Sequence, residues 1–130
     1  MIDSATTHTV LKEKKYFEYL TLTKDNVTII LGPTNMIKGF GRANILLPNN
    51  TKLGIKVALY SPESKKNHLV LKIYMLNGYH IEIIDEDRKE YLYTISRISV
   101  QKLVLEKLFA FFSGIYYTIM KSIEINVVIH

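Results

Sequence analysis

In Lys52-Leu53-Gly54-Ile55-Lys56-Val57-Ala58-Leu59-Tyr60, apolar side chains return at every second position from Leu53 to Leu59. A period of two is typical of a β-strand with one face against a core, because successive side chains of a strand point to opposite faces. The stretch therefore predicts a half-buried strand, and the segments on either side supply candidates for its neighbours.

The segments before this strand carry further strand and turn signals. Residues 27–31 are rich in β-branched side chains and are followed at 32–35 by Gly-Pro-Thr-Asn, a strong turn sequence. Residues 36–47 then lead into the Pro-Asn-Asn turn at 48–50. Residues 16–26 mix aromatic and polar side chains without a clear period, so we interpret them as a loop or a short helix.

The segments after it include a hairpin. Residues 79–84 and 90–95 flank the charged residues 85–89, a pattern typical of two antiparallel strands joined by a solvated turn. Residues 69–75 favour either a strand or a short helix. The period of residues 98–130 is likewise ambiguous between helix and strand.

Short strands separated by turn residues indicate an all-β fold, a small barrel or sandwich with room for one short helix. A chain of 130 residues suffices for one domain with a modest core and is too short for two. We predict that this core includes residues from the apolar faces of the strands, namely Ile37, Ile45, Leu47, Val57, Leu59, Ile81, Ile83 and Leu92.

Composition excludes several classes of protein. The absence of cysteine rules out a disulfide framework and thiolate zinc sites, and it is compatible with a reducing compartment. The first residues lack the apolar run of a signal peptide, and the longest uncharged run, residues 108–120, is shorter than the roughly 20 residues of a membrane-spanning helix. We therefore expect a soluble, cytoplasmic protein with no membrane partner. The net charge of +5 comes with scattered lysines, which indicates a solvated surface and no specific nucleic-acid partner.

One carboxylate has a distinctive setting near the start of the chain. Asp3 follows an apolar residue and precedes the small residues Ser4 and Ala5, and the chain becomes apolar again at Val10 and Leu11. This layout is typical of a carboxylate held on a tight turn between two strands.

The Asp3-Ser4-Ala5 triplet resembles the Asp-Ser/Thr-Gly active-site turn of retropepsin-type aspartic proteases. The longer string is similar to the start of the protease-like β-barrel domain of copia-type retrotransposon Pol polyproteins. Further pieces similar to that domain follow in order: residues 37–43, residues 57–62, Asn67 before an apolar run, residues 77–79, and residues 104–108 with 114–117. The last pair resembles the strands that precede the gag-pre-integrase region. The resemblance thus implies a retropepsin-like barrel at 1–97 and C-terminal strands at 98–130 in the same globular unit.

The resemblance implies an aspartic endopeptidase that acts as a homodimer on a Gag-Pol polyprotein peptide, without cofactor or metal. Asp3 would be the catalytic residue, one per chain, because the mechanism needs two carboxylates that share a proton. Ser4 would brace the paired turns, and Ala5 stands where the family has glycine. Gly39, Phe40 and Gly41 would form a flap over the substrate, whereas the residues by themselves favour a turn or bulge.

Departures from the family pattern predict impaired hydrolysis. Ala5 adds a Cβ that costs about 1 to 2 kcal/mol if its position needs a positive φ. The chain begins two residues before Asp3, whereas the family continues upstream with a tryptophan-containing strand whose loss would expose a sheet edge. His68 stands where the family usually has leucine. The alternatives are a non-catalytic β-barrel remnant of a decayed retroelement and a basic nucleic-acid-binding module.

Other chemistry fits the sequence less well. No metal-ligand spacing relates the histidines, which are His8, His68, His80 and His130. The acids of residues 85–89 lack the glycine and the closing glutamate of a calcium loop. Gly39-Phe40-Gly41 lacks the third glycine of a dinucleotide fingerprint, and Ser4 with His8 lacks a nucleophile elbow. The aromatic residues predict a β core and not a stacking platform for bases, since no lysines interleave them regularly.

Overall fold

The computed structural model describes residues 2–3, 8–28, 36–97, 101–112, 115–116 and 118–123. These residues form an all-β fold with one short helix, as the sequence predicts. A 3₁₀ turn at Lys14–Tyr16 precedes the third strand. The elements are β1 (Ile2–Asp3), β2 (Val10–Leu11), β3 (Phe17–Thr28), β4 (Met36–Leu46), β5 (Lys52–Tyr60), β6 (Leu69–Val70), α1 (Lys72–Leu76), β7 (Tyr79–Glu86), β8 (Lys89–Ser96), β9 (Val104–Phe112), β10 (Ile115–Tyr116) and β11 (Lys121–Ser122).

The described strands form two sheets. One has six strands in the order β6-β1-β10-β9-β8-β7, and the other has the order β11-β4-β5-β2, with β3 also paired to β4. The two sheets meet at β2, which runs parallel to β5 and is also bridged to His68. Val10 N donates to His68 O at 2.9 Å, and His68 N donates to Val10 O at 2.8 Å. The hydrogen-bonded ladder therefore continues from one sheet towards the other, in the manner of a partly closed barrel.

β5 is a strand as predicted, but its alternation changes phase in the middle. Gly41 of β4 pairs with Ala58, and Ala43 pairs with Ile55, so Lys56 and Val57 lie opposite Arg42 alone. This bulge turns Val57 to solvent, where it is 66% exposed, and brings Ala58 into the core. The prediction that Val57 is a core residue was therefore wrong.

Most of the other predicted core residues are buried. These are Ile37, Ile45, Leu47, Leu59 and Leu92, and Ile81 is partly buried against the main cluster. Ile83 is 57% exposed, which contradicts the prediction. It projects from the same face of β7 as Ile81, but it lies nearer the hairpin turn and on the outermost strand of the sheet. The core ends between these two residues.

The predicted hairpin is confirmed, with a shorter turn than residues 85–89. Strands β7 and β8 pair up to Glu86 and Lys89, so Asp87 and Arg88 form a two-residue turn. Both turn residues have positive φ, at 51° and 65°. That is the backbone of a type I′ turn, whose twist matches that of the flanking strands.

One further prediction needs correction, and two that were left open are resolved. Residues 16–26 lie mostly in β3, which pairs with β4, so sheet pairing overrides the missing period. Residues 69–75 contain both a short strand and the start of α1. The described part of 98–130 adds β9 beside β8, β10 beside β1 and β11 beside β4. The predicted turn at 32–35 lies outside the described residues.

Candidate functional site

Asp3 is the last residue of β1, at an interior position of the six-stranded sheet. It pairs with Val70 of the parallel strand β6 on one side and with Ile115 of the antiparallel strand β10 on the other. A strand with neighbours on both sides holds its terminal residue firmly in place, because its backbone is tied into two ladders. Ser4 and Ala5 lie outside the described residues, so their proposed roles stay predictions.

The chain returns beside this strand at Thr9. Thr9 is 3% exposed, and its Oγ1 accepts a hydrogen bond from Val70 N at 3.3 Å. Two residues after β2 begins, Lys12 N donates to Asn67 Oδ1 at 2.8 Å. Residues 67–70 therefore contact both β1 and residues 9–12. They hold the chain in place where it returns to the sheet after Asp3.

Tyr116 supports the other side of β1. It pairs with Ile2, its side chain is fully buried, and its hydroxyl donates to Glu90 Oε2 at 2.7 Å. Burial, and then the nearby Glu90 carboxylate, raises the pKa of the Tyr116 phenol well above its ordinary value. The phenol thus stays a neutral donor, and it ties β10, the neighbour of the strand that carries Asp3, to β8.

The predicted flap residues lie inside a central strand. Gly39 pairs with Leu22 of β3 and Tyr60 of β5, and Gly41 is likewise paired on both sides. A segment paired on both sides is not the tip of a hairpin. The glycines meet a packing need, since a Cβ on Gly39 would lie 2.7 Å from Thr21 O and one on Gly41 would clash with Tyr19 O. The sequence-based alternative of a bulge agrees with the register shift that follows Gly41.

Asn77, which belongs to one of the family-like segments, fastens α1 to β5. Its Oδ1 accepts from Gly54 N at 2.8 Å, and its Nδ2 donates to Gly54 O at 2.9 Å and to Ile73 O at 2.8 Å. The side-chain amide thus both donates to and accepts from the backbone of Gly54, as the backbone of a neighbouring strand would. Gly78 follows with a φ of +81°, the left-handed conformation that ends many helices.

A buried carboxylate, Glu106, was missed by sequence reasoning. It is 1% exposed, accepts from Asn49 N at 2.8 Å and accepts from the Thr51 hydroxyl at 2.7 Å. These bonds lock the β4–β5 turn to β9. The signal in the sequence was the charged pair Glu106-Lys107 among the apolar residues of 104–108, where alternation would place Glu106 on the same face as Leu108.

Two hydroxyls lie in the same part of the interior. Tyr74 and Thr94 are fully buried, and neither hydroxyl oxygen has a hydrogen bond of ordinary geometry, although they interact closely enough to affect ionisation. Burial is the main cause that raises the pKa of the Tyr74 phenol, and the Glu106 carboxylate adds to it.

The fold places lysines over aromatic rings, which the sequence did not indicate. Lys107 Nζ lies 4.2 Å from the ring centroid of Tyr91 and 5.6 Å from that of Tyr93, and Lys89 Nζ lies 5.7 Å from that of Phe109. Glu86 accepts bonds from Tyr93 and Lys107, which hold the pKa of its carboxyl below the ordinary value. The Glu86 carboxylate therefore offsets the charge of Lys107 on this face.

Among the described histidines, His80 lies beside an acid. His80 Nε2 lies 3.6 Å from Glu82 Oε1, His68 forms the bridge to Val10, and His8 is exposed. No set of three potential metal ligands occurs among the described residues. Likewise, no helix in the described ranges has the length and apolar character to cross a membrane.

Comparisons with family models, with curated proteins and with solved structures find no match to this chain.

Proposed function

We propose that the chain is an aspartic-protease-like β-barrel domain of a copia-type retrotransposon Pol polyprotein, with Asp3 at its catalytic position and with impaired peptide hydrolysis. The observation that carries this proposal is the setting of Asp3. It ends a short strand that is hydrogen-bonded on both sides, and the chain returns to the same sheet junction at Thr9. The backbone that carries such a carboxylate is already fixed, so placing the carboxylate beside a substrate costs little conformational entropy.

Three family-like residues hold parts of the described fold together. Asn67 holds the returning segment, Tyr116 holds β10 against β1, and Asn77 fastens α1 beside β5. Asn67 precedes β6 and Tyr116 lies in β10, and both of these strands pair with β1, whereas Asn77 holds another part of β5. Their arrangement supports the resemblance more strongly than the Asp-Ser pair alone.

Catalysis would need a homodimer, because each chain carries one such turn. With the two Asp3 carboxylates sharing a proton, the ionised one takes a proton from a water molecule as its oxygen adds to the peptide carbonyl carbon. The protonated one donates to the carbonyl oxygen. Collapse of the tetrahedral intermediate then breaks the C–N bond. The leaving nitrogen takes the proton that the first carboxylate received from water, and a hydroxyl of the intermediate returns its proton to the second carboxylate as the C=O bond reforms.

Ala5 is the main reason to propose impairment. In the resembled family a glycine lets the two turns approach each other, and an alanine at that position would add a methyl group to the approach. The carboxylate itself is unaltered. The proposed defect is therefore one of geometry, and it is reversible by substitution.

The test compares the unaltered protein, Ala5→Gly, and Ala5→Gly combined with Asp3→Asn, each concentrated and incubated with a Gag-Pol fragment of the family. The unaltered chain should cleave little, and Ala5→Gly should raise acid-favoured cleavage by about tenfold, the equivalent of 1.4 kcal/mol in the barrier. Asp3→Asn should abolish the gain. Asp87→Asn is the matched control, because it neutralises an exposed aspartate in the β7–β8 turn.

The non-catalytic remnant is the competing proposal. If Ala5→Gly dimerises and still cleaves nothing, Asp3 is not catalytic and the remnant is favoured. If the unaltered chain cleaves well and Asp3→Asn stops it, the claim of impairment is wrong.

A further inference from the structure

The pairing register between β3 and β4 shifts partway along β3. Leu22 pairs with Gly39 of β4, and the next pair is Val27 with Ile37. Residues 23–26 therefore lie opposite Lys38 alone, which makes a large bulge. Bulges redirect side chains and are common beside binding sites.

A pocket of about 240 Å³ opens beside this bulge. Its apolar walls come from Leu22, Pro62 and the ring of Tyr60. Its polar lining comes from Lys14, Lys38 and Thr23. The pocket is smaller than the roughly 300 Å³ or more of sites for drug-sized ligands, so it suits one side chain.

The pocket carries an excess of positive charge. Lys38 Nζ lies 3.5 Å from Glu63 Oε1, so one carboxylate already faces one of the two ammonium groups. Lys14 Nζ lies 6.0 Å from the Tyr60 ring centroid, and no carboxylate of the described residues lies within ion-pair distance of it. One positive charge is thus left for a ligand, which matches a monoanion better than a phosphate dianion.

The Thr23 hydroxyl is a further potential hydrogen-bond donor in the pocket lining. Its Oγ1 is buried without a hydrogen-bond partner among the described residues. A buried hydroxyl that has lost water and gained no partner is unfavourable, and native proteins rarely leave one so. Because Thr23 lines the pocket, a ligand bound there can supply the missing partner.

We infer that this pocket binds a carboxylate on a short aliphatic stem, specifically the glutamate side chain of an extended peptide. The ammonium of Lys14 and the hydroxyl of Thr23 receive the carboxylate, while Leu22, Tyr60 and Pro62 cover the stem. The peptide source follows from the position of β3, whose second edge pairs with no described strand. An extended peptide along such an edge places alternate side chains into adjacent pockets.

Calorimetric or NMR titration with N-acetyl-glutamate N-methylamide tests the inference on the full chain. Binding should saturate and weaken as salt rises, and the glutamine analogue, its neutral isostere, should bind about tenfold more weakly. Thr23→Val and Lys14→Met should each weaken binding by about tenfold, because a hydrogen bond or charge to the carboxylate is lost. Lys56→Met, an exposed lysine of β5 outside the pocket, should leave it unchanged.

Three results would overturn the inference: equal binding of the glutamine analogue, tighter binding of inorganic phosphate, or equal weakening by Lys56→Met. Thr23→Val should also leave the unfolding free energy unchanged or raised, since it removes a hydroxyl without a partner. Asp3→Asn should not affect binding, so the result stands apart from the proposed protease activity.

Discussion

The backbone of β3 leaves no room for a side chain at Gly41. An added Cβ would overlap the carbonyl oxygen of Tyr19, and backbone atoms cannot rotate away as a side chain can. Gly41→Ala should therefore lower the free energy of unfolding by about 2 kcal/mol or more. Urea denaturation followed by circular dichroism measures this change.

Gly54→Ala is the matched control for that substitution. Gly54 lies in the neighbouring strand β5, and its added Cβ would meet Asn77 and Asn44 at 3.5 and 3.6 Å, which is ordinary contact. Its effect should stay within about 1 kcal/mol. If the two substitutions lowered the free energy of unfolding equally, β3 would have moved away from the added Cβ. Its close approach to Gly41 would then not explain the loss.

Asn77 makes three hydrogen bonds with one side chain, two of them to Gly54. Asn77→Ala leaves Gly54 N and O without these partners, so the unfolding free energy should fall by about 2 to 3 kcal/mol. Asn44→Ala removes one exposed bond, 3.3 Å long, to Glu18 and should cost under about 0.5 kcal/mol. Similar costs for the two asparagines would contradict the role given to Asn77.

The backbone conformation of the β7–β8 turn favours residue types other than those at positions 87 and 88. Asp87 and Arg88 both have positive φ, and a side chain in that region costs about 1 to 2 kcal/mol relative to glycine. Asp87→Asn with Arg88→Gly creates the favoured type I′ pair and should raise the unfolding free energy by about 1 kcal/mol. Thermal denaturation measures the gain.

Arg88→Ala separates backbone conformation from charge in this hairpin. It removes the same positive charge and keeps a Cβ, so it should give no gain. A gain equal to that of the double change would mean that charge, not the turn, limits the hairpin.

The strands show where sequence patterns succeed and where they fail. Alternation located β5 and the β7–β8 hairpin, because period two is a local property of a strand. It failed at Val57, because the bulge opposite Arg42 depends on the register with another strand. Residues 16–26 had no period, yet β3 forms there because β4 supplies its hydrogen-bond partners.

The candidate site was predictable only in its local part. Asp3 could be placed at the end of a strand from its own neighbours in sequence. The bonds that hold its surroundings join residues far apart in the chain, such as Lys12 with Asn67 and Tyr116 with Glu90. No local pattern specifies such pairs.

For the molecule as a whole, the buried tyrosine Tyr74 should affect stability at alkaline pH. Its phenol has a higher pKa in the folded protein than in the unfolded chain, so the folded state keeps a proton that the unfolded state releases. Its contribution is complete below the unfolded pKa, near 10, and is lost as pH rises above it, at about 1.4 kcal/mol per pH unit.

Urea denaturation between about pH 9 and 11 tests this on the unaltered protein and on Tyr74→Phe, which lacks the titrating group. The variant should lose stability less steeply by about 1.4 kcal/mol per pH unit. Near neutral pH it should be as stable or slightly more stable, since the Tyr74 hydroxyl has no hydrogen bond of ordinary geometry. Tyr19→Phe, at an exposed position, should keep the original slope.

The pairing of Ile2 with Tyr116 has a consequence for synthesis on the ribosome. Ile2 of the strand that bears Asp3 is made 114 residues before its antiparallel partner Tyr116. At roughly 5 to 20 residues per second, that delay is on the order of ten seconds. Throughout this interval β1 lacks its β10 neighbour, so the six-stranded sheet cannot form and a proposed Asp3 site cannot assemble before β10 is available.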